Sequence, residues 1–208
     1  MGDTGVVYVI DDDPSVRNAV SMLLEVAGYE VATCASAEEF LEKDLTNISG
    51  CLVLDVRMAG LSGLDLQSSL SNRDVQLPIV FMTGHGDIPT SVRAMKAGAV
   101  EFLTKPFRDE ELVKAVSQAL ELNQKASAER AQVAAIQERY QKLTPRERQV
   151  LELVVQGLLN KQIALKLSAS EGTIKIHRSH VMLKMQAESV ADLVRMADKL
   201  SLSNQSKV

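Results

Sequence analysis

The chain has no tryptophan, and its aromatic residues make up only 3% of the sequence. Its two cysteines, Cys34 and Cys51, lie in apolar strand-like runs without metal-ligand spacing, so we expect reduced thiols in a core. No apolar run is long enough to cross a bilayer, and the first ten residues lack a basic segment and a cleavage site. These absences argue against a disulfide scaffold and a membrane protein, and they predict a soluble, cytoplasmic protein.

Acidic and basic residues are unevenly distributed along the chain. Residues 1–120 contain nine Lys and Arg against 18 Asp and Glu, whereas residues 143–208 contain 10 against six. An acidic first part joined to a basic end predicts two units with different partners, of which the basic one meets a polyanion. A chain of 208 residues, 46% of them hydrophobic, is long enough to form two domains, each with its own hydrophobic core.

The first 120 residues alternate about five times between short β-branched runs and longer helical patterns. The strand-like runs are VVYVI, EVATC, GCLVLD, PIVFM and EFLT. Such alternation predicts a five-stranded parallel, doubly wound α/β sheet of the flavodoxin-like kind. We expect Asp13 to cap a helix that begins at Pro14, and Ser36 to begin another helix with Glu39 in a capping box. Gly98 is expected to end the fourth helix.

Acidic, hydroxyl and basic side chains follow the predicted strands. Asp11 and Asp12 follow the first strand, Asp55 the third, Thr83 the fourth and Lys105 the fifth. Because ligands collect at the carboxyl ends of parallel strands, we expect these side chains to converge at one edge of the sheet. Three carboxylates there predict a site for a hard cation such as Mg²⁺, which relieves their repulsion.

Four dispersed motifs of this region carry a family resemblance. They are VYVIDDD, LVLDVRMAGLSG, VFMTGHGD and EFLTKPF. In this order and spacing they resemble the receiver domain of two-component response regulators, and GHGD with AMKAGAVEFLTKPF is particularly similar to the FixJ group. The resemblance covers residues 6 to about 120 and implies that a sensor histidine kinase phosphorylates Asp55.

The resemblance also implies how the acidic site binds metal. Asp12 and Asp55 would hold Mg²⁺ together with the backbone carbonyl of Arg57, and Asp11 would contribute through water. The family usually has proline where this chain has Ala59, so we expect a less rigid loop after Asp55.

The remaining receiver positions are assigned in the same way. Thr83 would bond the phosphoryl oxygen, Lys105 would pair with it ahead of a cis bond to Pro106, and Phe102 occupies the position of the switch aromatic. Arg57 and His85 are expected to affect the lifetime of the phosphoryl group. We expect that the protein is not an enzyme, although its receiver assists the transfer of the phosphoryl group to itself.

Two other functions use similar residues but fit this sequence less well. A phosphatase of the haloacid dehalogenase type also uses an aspartate nucleophile with Mg²⁺, but it needs a second acid where this chain has Arg57. A nucleotide-binding flavodoxin-like domain lacks support because no glycine-rich loop follows the first strand. The remaining alternative is a regulator whose receiver acts unphosphorylated, as a protein-interaction scaffold.

A long helix is predicted from Asp109 to about Lys142, where the sequence has neither proline nor glycine. Apolar and small residues recur there close to a heptad seam: Ala119, Leu122, Ala126, Val133, Ile136, Tyr140 and Leu143. The segment is interpreted as a helix packed on its own domains, with coiled-coil dimerisation as the alternative. We expect a receiver over 1–120, a helical linker over 121–142 and a second domain over 143–208.

The last 65 or so residues read as helices only. Thr144 with Glu147 forms a capping box, Asn160 and Ser170 are expected to cap the next two helices, and a last helix is expected from Ser189 to about Lys199. The run LTPRERQVLELVVQGLLNKQIALKLSASEGTIKIHRSHVMLKM resembles the LuxR/NarL helix-turn-helix module. The resemblance implies an all-α four-helix DNA-binding domain, whose recognition helix runs from Ser170 to Met185.

The same resemblance assigns DNA contacts on and near this helix. Lys175, Ile176 and Ser179 would reach base edges, while Lys161, Thr173, Arg178 and Lys184 would contact phosphates.

Phosphorylation is expected to produce a homodimer through Val92, Lys96 and Glu101, on the fourth helix and fifth strand. The expected partners are DNA, the histidine kinase and RNA polymerase. We do not expect the protein to bind a membrane.

Overall fold

The computed structural model describes residues 5–46, 48–84 and 88–200. Contacts within the chain divide it into two units, residues 1–127 and 128–208. The division falls inside the segment 121–142 that the sequence marks as a linker, and each unit is described separately below.

The first unit is built on one parallel sheet with the strand order β2-β1-β3-β4-β5. This confirms the predicted doubly wound α/β fold. In chain order the elements are β1 (Val6–Ile10), α1 (Pro14–Val26), β2 (Val31–Cys34), α2 (Ala37–Leu41), β3 (Gly50–Asp55), α3 (Gly63–Asn72), β4 (Ile79–Thr83), α4 (Ile88–Lys96), β5 (Glu101–Thr104) and α5 (Asp109–Gln141).

Alternate side chains of the central strands fill two apolar layers, one on each face of the sheet. Leu52 and Leu54 of β3 pack with α2 and α3, whereas Val53 between them packs on the opposite face with α1 and α5. Every residue of β3 and β4 is buried, as expected for parallel strands covered on both faces. The two cysteines are free and buried in these layers.

Most helix boundaries of the first unit follow the local signals, with one correction. The Asp13 side chain accepts from the Ser15 N–H at 2.8 Å, and Gly98 has a φ of +91°. Ser36 caps α2, but the Glu39 carboxylate accepts from the Ala35 N–H at 2.6 Å, so the predicted capping box is only half formed.

The second unit contains α6 (Pro145–Val155), α7 (Asn160–Lys166), α8 (Glu171–Met185), α9 (Val190–Lys199) and the end of α5. Thr144 and Ser170 cap their helices as predicted, and Ser189, the expected first residue of the last helix, is the cap of α9. Asn160 does not cap α7: the helix begins at Asn160 itself, and the cap position is Leu159, whose N–H donates to the Gln162 side chain at 2.8 Å.

Helix α5 is continuous over 33 residues, as the absence of proline and glycine predicts. Residues of its apolar seam pack inside each unit: Ala119 is buried in the core of the first unit, and Ile136 and Leu143 are buried in the core of the second. Leu122 between them is 48% exposed. The burial favours the interpretation of a helix packed on its own units. None of the described helices, α5 included, is long and apolar enough to span a membrane.

Candidate functional site

Four strand ends bring the predicted site residues to one edge of the sheet. Asp11 follows β1, Asp55 ends β3, Thr83 ends β4 and Lys105 follows β5. Asp11, Asp55 and Thr83 are all buried, because the strands that carry them are covered on both faces. The fold therefore removes two carboxylates and a hydroxyl from bulk water in one place.

The Lys105 ammonium group joins the two buried carboxylates. Its Nζ lies 2.7 Å from Asp11 Oδ2 and 2.8 Å from Asp55 Oδ1. Burial raises the pKa of Asp55, although the hydrogen bond from Lys105 works in the opposite direction. Burial alone would lower the pKa of Lys105, but its bonds to Asp11 and Asp55 outweigh burial and raise it. The lysine therefore stays charged between the two carboxylates.

Backbone groups hold the remaining oxygens of these carboxylates. The Arg57 N–H donates to Asp55 Oδ2 at 2.8 Å, and the Asp13 N–H donates to Asp11 Oδ1 at 2.9 Å. Arg17, which the sequence interpretation did not assign, donates from Nη1 to the Asp11 carbonyl at 2.6 Å. Its position early in α1, shortly after the aspartates, was the signal available in the sequence. Both carboxylates are thus fixed in orientation.

The third carboxylate, Asp12, has different surroundings. It is exposed, and its Oδ2 accepts from the Ala59 N–H at 2.9 Å, in the loop between β3 and α3. The same loop donates its Leu61 N–H to Glu38 Oε1 of α2, also at 2.9 Å. Glu38 was not among the predicted site residues. The loop after Asp55 is therefore tethered to side chains from two other elements.

The expectation that three carboxylates gather in one pocket is met only in part. Asp11 and Asp55 meet at Lys105, whereas Asp12 bonds to the loop, and among residues 5–46, 48–84 and 88–200 no three His, Cys, Asp or Glu side chains are gathered as a metal site. Mg²⁺ keeps several waters and needs only one or two carboxylates from a protein. Two buried carboxylates facing one ammonium leave a net negative charge, so the residues present fit a divalent cation.

The predicted switch aromatic, Phe102, lies on the β4 and β5 side of the site. Phe102 is half-buried, with its ring centroid 6.2 Å from that of Phe81. The peptide bond between Lys105 and Pro106 is cis, as predicted. His85, the other residue expected to influence phosphoryl lifetime, lies outside the described residues.

The predicted dimer face lies on α4 and β5. Val92 is 43% exposed and Lys96 is exposed, while the Glu101 carboxylate is half-buried and accepts from the Phe102 N–H at 3.0 Å. Ile88 and Met95 are also exposed there, and sequence reasoning missed both. Their spacing from Val92, four residues before and three after, was the available signal. Together the three form an exposed apolar stripe along α4.

Helix α8 has the two faces that the helix-turn-helix resemblance implies. Ile174, Val181 and Met185 are fully buried in the core of the second unit. The exposed members of the predicted contact set are Lys161, Thr173, Lys175, Ile176 and Ser179. An exposed, basic outer face on a helix anchored by its inner stripe is suited to a DNA groove.

Two predicted phosphate contacts are engaged within the domain. The Arg178 guanidinium donates to the Asn160 side chain of α7 at 3.0 Å. The Lys184 ammonium lies 2.7 Å from Oε2 of Glu147, a buried carboxylate of α6 that also accepts from the Thr144 N–H at 2.8 Å. Both residues hold α8 against its neighbours, so their DNA contacts stay predictions.

Comparisons with known proteins cover both units. The family model for "Response regulator receiver domain" matches residues 7–117, and that for "Bacterial regulatory proteins, luxR family" matches residues 141–197. Nodulation protein W of Bradyrhizobium diazoefficiens is 48% identical over 95% of this chain and 87% of its own length. Transcriptional regulatory protein FixJ of the same organism is 43% identical over 98% and 100%. The structure of response regulator StyR superposes with a TM-score of 0.85 at 47% identity, covering 94% of this chain and 98% of its own.

Proposed function

The chain belongs to the two-component response regulators that join a receiver domain to a luxR-family DNA-binding domain, and we propose that phosphorylation of Asp55 controls its binding to DNA. It is a transcriptional regulator by this membership. The observation that carries the proposal is the buried Asp55 carboxylate held between the Lys105 ammonium and the Arg57 N–H. A DNA-binding regulator of this bacterial family acts in the cytoplasm, where the DNA is.

The proposed chemistry is transfer of a phosphoryl group from a phosphohistidine of a sensor kinase. An Asp55 oxygen forms the new bond to phosphorus, the P–N bond breaks, and its electron pair remains on the histidine. The Arg57 N–H orients Asp55, while Lys105 and the Thr83 hydroxyl would bond the phosphoryl oxygens. The receiver assists only its own modification and is not an enzyme toward another substrate.

A divalent cation belongs to this proposal. Asp12, Asp55 and the Arg57 carbonyl would hold Mg²⁺, with Asp11 contributing through water. When bound, the ion neutralises charge on the phosphoryl group. Lys105 leaves the negative charge of Asp11 and Asp55 only partly compensated, which supports a cation at this edge.

Labelling with a small phosphodonor tests the assignment of Asp55. Wild type, Asp55→Asn and Asp13→Asn are incubated with acetyl phosphate and Mg²⁺, and the bound phosphoryl group is measured by its hydroxylamine sensitivity and by intact mass. Asp13→Asn is the matched control, because asparagine also caps a helix. We expect Asp55→Asn alone to lose the label. Equal labelling of Asp55→Asn would overturn the assignment, and unchanged DNA regulation by that variant would favour the unphosphorylated scaffold.

Phosphorylation is further proposed to create a homodimer through the α4 stripe. Ile88, Val92 and Met95 provide exposed apolar area, with Lys96 and Glu101 beside it for a self-complementary contact. DNA sites for such modules come as paired half-sites, so a dimer gains affinity from effective concentration. The dimer bound to DNA would then engage RNA polymerase.

Sedimentation distinguishes this face from the linker helix. Wild type, Val92→Asp and Leu122→Asp are compared with and without beryllofluoride, which mimics the phosphoryl group. Leu122 is the matched control, because it is similarly exposed but lies on the seam of α5. Beryllofluoride should dimerise wild type and Leu122→Asp but not Val92→Asp. A dimer lost only with Leu122→Asp, or already present without beryllofluoride, would contradict the α4 face.

A further inference from the structure

The loop between β3 and α3 is held at its two ends by the backbone and in its middle by side chains. The Val56 N–H donates to the Met82 carbonyl at 3.0 Å, and the Gly63 N–H returns to the Val56 carbonyl at 3.1 Å. Between these points the Ala59 N–H is held by Asp12 and the Leu61 N–H by Glu38. The conformation of the middle of the loop therefore depends on two carboxylates that lie far away in sequence.

Glu38 is fitted closely to this loop. It lies in the first turn of α2, and a Cβ at Gly60 would come within 2.5 Å of Glu38 Oε1. Gly60 has a φ of +82°, so glycine serves both the backbone turn and the approach of the carboxylate. The hydrogen bond from the Leu61 N–H lowers the pKa of Glu38. The neighbouring Glu39 turns back to its own helix end, at the Ala35 N–H.

The loop carries groups that the acidic site needs. The Arg57 N–H orients Asp55, and the Arg57 carbonyl is a proposed ligand of the divalent cation. Position 59 has no proline ring to restrict the loop, so hydrogen bonds to Asp12 and Glu38 are what hold its middle. Ligands bind a metal more tightly when outer contacts fix their orientation beforehand.

We propose that Glu38 is a positioning residue for the divalent-cation site: it holds the Leu61 N–H and thereby keeps the Arg57 carbonyl in place beside Asp55. This inference rests on the proposed cation site and adds to it a residue of α2 that does not contact the metal. It requires the hydrogen-bond acceptor of Glu38, not its negative charge.

Three variants separate the acceptor from the charge. Glu38→Ala removes both, Glu38→Gln keeps a side-chain oxygen that can accept from the Leu61 N–H, and Glu42→Ala removes one charge from an exposed position at the other end of α2. Each full-length protein is titrated with Mg²⁺ alone by calorimetry. Amide exchange of the peptide containing Leu61 is measured in parallel without metal, and thermal unfolding confirms that each variant is folded.

The proposal predicts a specific pattern of results for these variants. We expect Glu38→Ala to bind Mg²⁺ about fivefold more weakly and to exchange the Leu61 amide faster. Glu38→Gln and Glu42→Ala should stay close to wild type in both measurements. Equal weakening by Glu38→Ala and Glu38→Gln would show an effect of charge alone and overturn the positioning role, as would unchanged Mg²⁺ binding by Glu38→Ala. If wild type itself binds no Mg²⁺, the proposed cation site fails, and the role of Glu38 fails with it.

Discussion

Replacing Lys184 by methionine tests whether this residue stabilises the second unit. Methionine retains most of the aliphatic length of lysine and removes the ammonium group that lies 2.7 Å from Glu147. The Glu147 side chain is only 4% exposed, so the variant leaves a buried carboxylate with the Thr144 N–H and, at 3.6 Å, His180 as its neighbours. We expect the loss of Lys184 to destabilise the packing of α8 against α6.

The size of this loss follows from burial at the two ends of the ion pair. Removing one partner of a fully buried pair costs about 3–5 kcal/mol, and a hydrogen bond to a charged group contributes about 1.5–3 kcal/mol. The Lys184 side chain is 35% exposed, so water can partly replace it around Glu147. We therefore expect the free energy of unfolding of the second unit to fall by about 2 kcal/mol.

Hydrogen exchange of peptides from α6 and α8 measures this change without interference from the receiver. A loss of about 2 kcal/mol corresponds to roughly 30-fold faster exchange of the most protected amides. Lys175→Met is the matched control, because Lys175 is exposed on the same helix, and it should leave exchange unchanged. If Lys184→Met also left exchange unchanged but weakened binding to every DNA sequence, Lys184 would be a phosphate contact and the structural argument would be refuted.

Three further predictions concern the second unit. Lys175→Ala should weaken binding to the specific operator by about 1–3 kcal/mol, whereas Lys161→Ala should weaken binding to all sequences and reduce the salt slope by about one; uniform losses in both titrations would make Lys175 a phosphate contact. Ile136→Ala should destabilise the unit by about 2–4 kcal/mol in denaturant unfolding, because Ile136 is 3% exposed in its core, and a loss below about 0.5 kcal/mol would contradict that packing. Burial alone would raise the pKa of Glu147, but hydrogen bonds from Lys184 and Thr144 outweigh it and lower the pKa. Its stabilising contribution should therefore be present at pH 7 and lost as the pH falls below 4.5, so that wild type and Glu147→Gln converge in acid; a pH-independent difference would contradict this.

The sheet and its acidic edge could be predicted because their causes are periodic. Strands and helices alternate in the first 120 residues, and the carboxyl ends of parallel strands lie at one edge whatever their sequence separation. Asp55 and Lys105, 50 residues apart, were therefore expected to meet, and they do at 2.8 Å. The recognition helix was predictable for a similar reason, since Ile174, Val181 and Met185 mark its inner face.

The partners of single polar side chains could not be predicted in this way. A glutamate in the first turn of a helix reads as a favourable helix-end charge, and nothing local in the sequence indicates that Glu38 reaches the Leu61 N–H 23 residues later. Lys184 likewise fits a phosphate-contacting stripe, while its partner Glu147 lies 37 residues earlier in the chain. Such pairs depend on how elements distant in sequence pack together, and helix periodicity carries no information about that.

The end of α5 is part of the fold of the second unit, and this matters for how such regulators can be recombined. Ile136 lies in the core, the Arg148 guanidinium lies 5.0 Å from the centre of the Tyr140 ring, and Arg139 donates to the Met185 carbonyl at the last turn of α8. A chimera that fuses another receiver directly before Thr144 would lose Ile136, Arg139 and Tyr140 and deliver an output module without the end of α5. The exchange point that keeps the module intact lies upstream of residue 128, inside a continuous helix and not at the loop that separates α5 from α6.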